Sequence, residues 1–255
     1  MQLNKSWPPV FFLILRCLWG LGGLIWLSGD CWAKDAVVAI DIGHTPERPG
    51  AISARGRAEY LFNKTIAALV YTMLRGDQRF EKSFIINETG SDISLAGRAA
   101  LANSRAANLL VSIHHDSVEP KDLSLWCFQG EIMPYCDKFT GHSIFYSEKN
   151  VCPNDSLTFA IILGTEMLNA GFCPTLHHAE KFTGGDKDLI DRSRGIYKYN
   201  NLIVLKKAAM PAVLFECGII KNREAEVQLR NPAYQKKIAA ALFRAVRKYF
   251  QLDNP

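Results

Sequence analysis

Leu109-Leu-Val-Ser-Ile-His-His-Asp116 is a short, mostly apolar run with branched side chains that ends in two imidazoles and a carboxylate. So few residues in near-continuous apolar succession fit a strand buried on both faces, as in a parallel sheet, better than a half-exposed strand with strict alternation. Similar runs recur at Ala36 to Ile40, Phe84 to Ile86, Ile144 to Tyr146, Leu202 to Leu205 and Ala212 to Phe215. The stretches between them carry helical period. Phe62, Ile66, Leu69, Val70, Met73 and Leu74 share one face, as do Leu95, Ala99, Ala102 and Ala106, with Ser91 or Asp92 as the expected N-cap. Leu157, Ile161, Gly164 and Leu168 repeat the spacing. Asn231-Pro232 reads as N-cap plus first-turn proline of a last helix through Ile238, Leu242, Val246 and Phe250. This alternation predicts a three-layer α/β domain with a central, mainly parallel twisted sheet flanked by helices. Glu119 to Gly141 and Gly171 to Asn200 break the rhythm and are expected to be long loops bordering a functional site.

Around this pattern, 48% hydrophobic and 22% charged residues over 255 positions exclude a disordered polymer, a collagen and a multi-span membrane protein. The formal charge of +5 is dispersed without a basic block, so nucleic acid is not an expected partner. The first 33 residues carry only Lys5, Arg16 and Asp30 as charges, around the apolar runs Val10 to Leu15 and Cys17 to Leu27. With Cys31-Trp32-Ala33 as a small-x-small cleavage site, residues 1–33 read as an export signal. Arg16 near the middle of the apolar stretch argues against a retained anchor, and Asp30 against a lipid anchor on Cys31. Cleavage leaves residues 34–255, a single domain of formal charge +4 with no stable membrane span, expected to be a monomer. Its five cysteines allow two disulfides, with Cys127–Cys136 and Cys152–Cys173 preferred among three connectivities and Cys217 buried and unpaired.

Ligands of an open parallel sheet bind at the carboxyl ends of its strands. There the sequence puts Asp41-Ile-Gly-His44, His114-His-Asp116 and Glu216-Cys-Gly218, with Glu59 at the start of the first long helix. Two imidazoles, a ligating carboxylate and an open fourth position make a hydrolytic zinc site, and a second, unligated carboxylate can take a proton from water. Taken singly, each has a structural reading: His44 as a turn cap, His114 as a strand-end histidine, Glu216 as a buried carboxylate paired with Arg98.

Val38-Ala-Ile-Asp-Ile-Gly-His44, Arg98 to Asn103 followed by Leu109-Leu-Val-Ser-Ile-His114, and Pro211-Ala-Val-Leu-Phe-Glu-Cys-Gly218 with Asn222 resemble the zinc-dependent N-acetylmuramoyl-L-alanine amidases of the amidase-3 type. The resemblance covers residues 36–250 in order and spacing. It implies one zinc ion per chain, held by His44, Glu59 and His114, with Glu216 as the catalytic carboxylate and Glu47 as the fallback for Glu59. The implied substrate is peptidoglycan, cut at the amide between the lactyl group of N-acetylmuramic acid and the L-alanine of the stem peptide, which places the enzyme in the periplasm or cell envelope. Ile42, Thr45-Pro46 and His115-Asp116 depart from the family's usual residues without removing a ligand or the base.

Some relatives insert an inhibitory helix after the strand corresponding to Ile144 to Tyr146. The spacer here is too short for two turns, so no activator protein is expected to be required. The Glu119 to Gly141 loop, with Trp126, is expected to wall the cleft. His177 and His178 are candidate extra donors, and Arg98 is expected to be structural. The competing readings are a zinc peptidase acting on cell-wall peptides and a non-catalytic wall-binding scaffold.

Overall fold

The computed structural model describes residues 35–179 and 187–251. The expected export signal at 1–33 lies outside them. The chain opens with β1 (Val38–Ile42), α1 (Glu59–Arg75), β2 (Phe84–Ile85), α2 (Leu95–Ser104) and β3 (Leu109–Asp116). A hairpin of β4 (Ser124–Phe128) and β5 (Glu131–Tyr135) leads to β6 (Ser143–Tyr146) and α3 (Pro153–Asn169). The strands β7 (Lys187–Asp191) and β8 (Ile196–Tyr199) precede α4 (Ile203–Lys207), β9 (Ala212–Ile219), α5 (Arg223–Leu229) and α6 (Pro232–Tyr249).

Among the described residues, seven strands form one sheet in the order β2-β1-β3-β9-β6-β8-β7. The β2, β1, β3 and β9 neighbours are parallel, and so are β6 and β8, whereas β6 meets β9 and β7 meets β8 antiparallel. The parallel half supplies every strand tip that the sequence singles out. Alternation along the strands then makes three layers. Val38, Ile40, Val111, Ile113, Val213 and Phe215 face α1, α3 and α6, while Ala39, Leu110 and Leu214 face α2 and α4. By the same period, His114 and Glu216 stand on the face of Leu110 and Leu214.

The helix caps follow local chemistry. Asn231 Oδ1 accepts from the amides of Ala233 and Tyr234 to start α6. The cap of α2 is Ser94, whose Oγ accepts from Gly97 N, and not Ser91 or Asp92 as the sequence suggested. Among the described residues no helix is long and apolar enough to cross a membrane.

Other expectations are corrected. Glu119 to Gly141 is not a loop but contains the β4–β5 hairpin, turned at Gln129-Gly130 with φ of +51° and +87°. Gly171 to Asn200 likewise contains β7 and β8. Leu202 to Leu205 is not a strand: Leu202 is the N-cap of α4, whose Val204 and Leu205 are buried. All five cysteines of the described residues are free thiols. Cys127 pairs with Ile132 across the hairpin while Tyr135 pairs with Ser124, so Cys136 lies at the other end, about 13 Å along the strand. Cys152 caps the start of α3 and Cys173 follows its end, with about 25 Å of helix between them. Neither pair meets the Cα separation of a disulfide. Cys217 is buried and unpaired as expected.

Candidate metal centre

The chain leaves β1 through Gly43, whose amide donates to Ile113 O, and His44 follows at φ +68°. A histidine in the left-handed region is uncommon, and here neighbouring groups hold the turn. Arg98 donates to Asp41 Oδ1 at 2.7 Å, to Ile42 O at 2.5 Å and to His44 O at 3.0 Å, while Asn87 Nδ2 donates to Ile42 O and His44 O. Arg98 is thus structural, and its carboxylate partner is Asp41, not Glu216. Ser112 Oγ closes this buried cluster by donating to Asp41 Oδ2.

Glu59 is the first residue of α1 and is buried. Its Oε2 lies 3.0 Å from His44 Nε2 and its Oε1 3.0 Å from His114 Nδ1. Ala51 N donates to Oε2, while Asn63 Nδ2 and His115 N donate to Oε1. Burial pushes the proton affinity of Glu59 up, and the contacts with His114 and His44 outweigh that, holding it ionised well below the usual carboxylate range. The ligand atoms of His44, Glu59 and His114 all lie within 4.8 Å of one another. Glu47, the fallback, is exposed and outside this group.

Two glycines leave room for the set. A Cβ on Gly43 would lie 2.4 to 2.6 Å from the His114 ring, and one on Gly50 would lie 2.5 Å from Glu59 Oε2 and from His44 Cδ2. A cradle that a methyl group would fill, with two imidazole nitrogens and a carboxylate converging, fits a zinc-type ion. The His44 and His114 side chains remain 32% and 18% exposed, so the set opens to solvent. Beside them is a cavity of about 270 Å³, lined also by Arg98, Leu95, Leu205 and Leu214.

His115 points to the opposite face, where its Nδ1 meets Asn63 Oδ1 at 2.7 Å and burial lowers its pKa to about 3. Asn63 therefore ties Glu59, Gly43 O and His115 together. Asn63 is not among the residues the sequence singles out; its place one turn after Glu59 is the signal that could have found it.

Glu216 pairs in register with His114 across β3 and β9. Its Oε2 is buried without a hydrogen-bond partner, and burial, then the Asp116 and Glu59 carboxylates, raises its proton affinity well above the ordinary range. Past this pair the register slips, so that Asp116 pairs with Ile219. His177 and His178 reach Asp116 instead of the first set, making a second group of three possible ligands. The β4–β5 hairpin is held by Trp126 Nε1 donating to Ala54 O, and none of its residues lines the cavity beside His44 and His114.

Comparison with known proteins points to one family. Probable N-acetylmuramoyl-L-alanine amidase AmiB of Haemophilus influenzae is 26% identical over 245 residues, covering 86% of this chain and 53% of that protein. The chain thus spans about half the length of that relative. N-acetylmuramoyl-L-alanine amidase AmiA of Escherichia coli K12 is 27% identical over 233 residues, covering 86% of this chain and 78% of the relative. The crystal structure of an N-acetylmuramoyl-L-alanine amidase from Clostridium difficile 630 superposes with a TM-score of 0.66 at 25% identity, covering 87% of this chain and all of the other. Residues 38–248 match the Amidase_3 family, N-acetylmuramoyl-L-alanine amidase, and the chain belongs to that family.

Proposed function

We propose that the chain hydrolyses the amide joining the lactyl group of N-acetylmuramic acid to the L-alanine of the peptidoglycan stem, with His44, Glu59 and His114 holding one zinc ion and Glu216 carrying the proton. The observation that carries this reading is the convergence of His44 and His114 on Glu59, with the unpartnered Glu216 carboxylate on the strand beside His114. Bound there, zinc would supply Lewis acidity and would lower the pKa of water to about 7.

The rest of the chemistry belongs to the chain. Glu216 takes the proton of the attacking water at Oε2 and returns it to the departing alanine nitrogen. Burial beside Asp116 and Glu59 suits it to hold that proton between the two transfers. Glu59 stays ionised, Asn63 fixes its Oε1, and Arg98 with Asn87 fixes the turn that presents His44. Export through residues 1–33 would bring the domain to a substrate outside the cytoplasm. Only residues 147–152 lie between β6 and α3, which supports a cleft that needs no activator to displace a helix inserted there.

The test is digestion of purified peptidoglycan followed by mass analysis. Glycan freed of intact stem peptides is the expected product, whereas shortened stems would replace the amidase reading with the peptidase one. Glu216→Gln is expected to retain its metal and lose turnover at least 100-fold; unchanged turnover removes Glu216 from the scheme.

A further inference from the structure

Asp116, His177 and His178 make a second convergent set at the same end of the sheet. His178 Nε2 lies 2.6 Å and His177 Nε2 3.4 Å from a single carboxylate oxygen, Asp116 Oδ2. Bonds of about 2.0–2.2 Å to a tetrahedral ion separate ligand atoms by about 3.3 Å. The His177 distance already meets this, and the His178 distance needs to open by roughly 0.7 Å.

The surroundings prepare these atoms for a ligand. Thr175 Oγ1 sits 3.0 Å from His177 Nδ1 and fixes the ring so that Nε2 faces Asp116, as supporting groups orient metal-binding histidines. His177 Nε2 and Glu216 Oε2 are both buried with no hydrogen-bond partner.

Lys187 explains how His178 is satisfied without an ion. Its Nζ lies 3.0 Å from His178 Nδ1. An ammonium only donates, so Nδ1 accepts and Nε2 carries the ring proton that Asp116 Oδ2 receives. An ion on Nε2 would shift that proton to Nδ1 and turn the ammonium away.

The geometry points to a second divalent-cation site, formed by Asp116, His177 and His178, that takes a first-row transition ion such as zinc or cobalt and has Lys187 as its internal competitor. Two imidazoles and one carboxylate favour such ions over magnesium or calcium. The competitor makes this the weaker of the two sites. It also adds one ion to the single zinc expected from the sequence.

The test counts ions by elemental analysis and calorimetric titration, with untagged, metal-stripped full-length protein reloaded with Co²⁺. The native chain is expected to bind two ions, the second at least tenfold more weakly. Asp116→Asn and His178→Gln are each expected to bind one, and Lys187→Met to bind the second at least tenfold more tightly. His44→Ala combined with His114→Ala is expected to lose only the tight ion, so failure at the catalytic set and failure here read differently. A single ion in the native chain at saturation, or a second ion that survives both Asp116→Asn and His178→Gln, overturns the site. Unchanged second-site affinity in Lys187→Met overturns the role of the lysine.

Discussion

Gly43 is the residue on which the His44–Glu59–His114 geometry most visibly depends. It sits between β1 and His44, and its missing side chain is the space that the His114 ring fills. Its φ is not in the left-handed region, so an alanine would be opposed by contact alone. With ring atoms within 2.6 Å of the new Cβ and Ile113 O holding the Gly43 amide, the movable partner is His114 itself. Gly43→Ala is therefore expected to weaken zinc binding about 10- to 100-fold, the loss seen when the groups supporting a ligand are disturbed. Competition against a chromophoric chelator measures this, and wild-type affinity in the alanine variant would remove the steric argument. His44, His114 and Glu216 were legible in the sequence because each follows an apolar run, and strand ends are where such a sheet binds ligands. The role of Asn63 was not, because it rests on partners contributed by the turn after β1 and by β3.

Elements show a similar division. The strands of the parallel half were legible because they are buried on both faces and so nearly continuously apolar. The β4–β5 hairpin escaped notice because its turn is Gln129-Gly130, outside the Asn-Gly and Asp-Gly signals, and because half-exposed strands carry little apolar contrast. Leu202 to Leu205 misled because four apolar residues fit a strand or one turn of helix equally well, and packing against α2 decided for helix. Between α3 and α6, one buried carboxylate makes a contact whose pH dependence has a definite sign. Burial raises the proton affinity of Glu166, but Lys248 and Arg244, each 2.8 Å away, more than offset it and hold the carboxyl below its usual range. A depressed folded-state value means stabilisation that is present above the unfolded carboxylate range and lost as pH falls through the folded one. The two cationic side chains are 48% and 43% exposed, so screening reduces the contribution to about 1 kcal/mol. Glu166→Gln is expected to lower stability by about that amount at pH 7 and to match the wild type once pH lies below the carboxylate range. Denaturant melts at both extremes check this; an equal deficit at low pH would assign the loss to packing.

At the scale of the molecule, the first ligand set joins parts that sequence keeps apart: the turn after β1, the start of α1 and the end of β3. A bound ion would cross-link the middle of the sheet to the helical layer against it, and the unfolded chain has no such convergence. Binding that favours the folded state stabilises it by about 4.1 kcal/mol when free ion is a thousandfold above its dissociation constant. For a domain of this size each kcal/mol moves the melting temperature by about 2–4 °C. Chelation is therefore expected to lower melting by about 10 °C, and added zinc to restore it. The disulfide expectation bears on the same measurement, since Cys127–Cys136 and Cys152–Cys173 would have stapled the domain without metal. With all five thiols of the described residues free, reductant should leave melting unchanged. His44→Ala separates the metal's effect from general chelator damage: it removes a proposed ligand at a partly exposed turn and leaves the core intact. Its melting temperature is expected to lie near that of the chelated wild type and to recover only partly with zinc. Full recovery in His44→Ala would mean that the stabilising ion binds elsewhere.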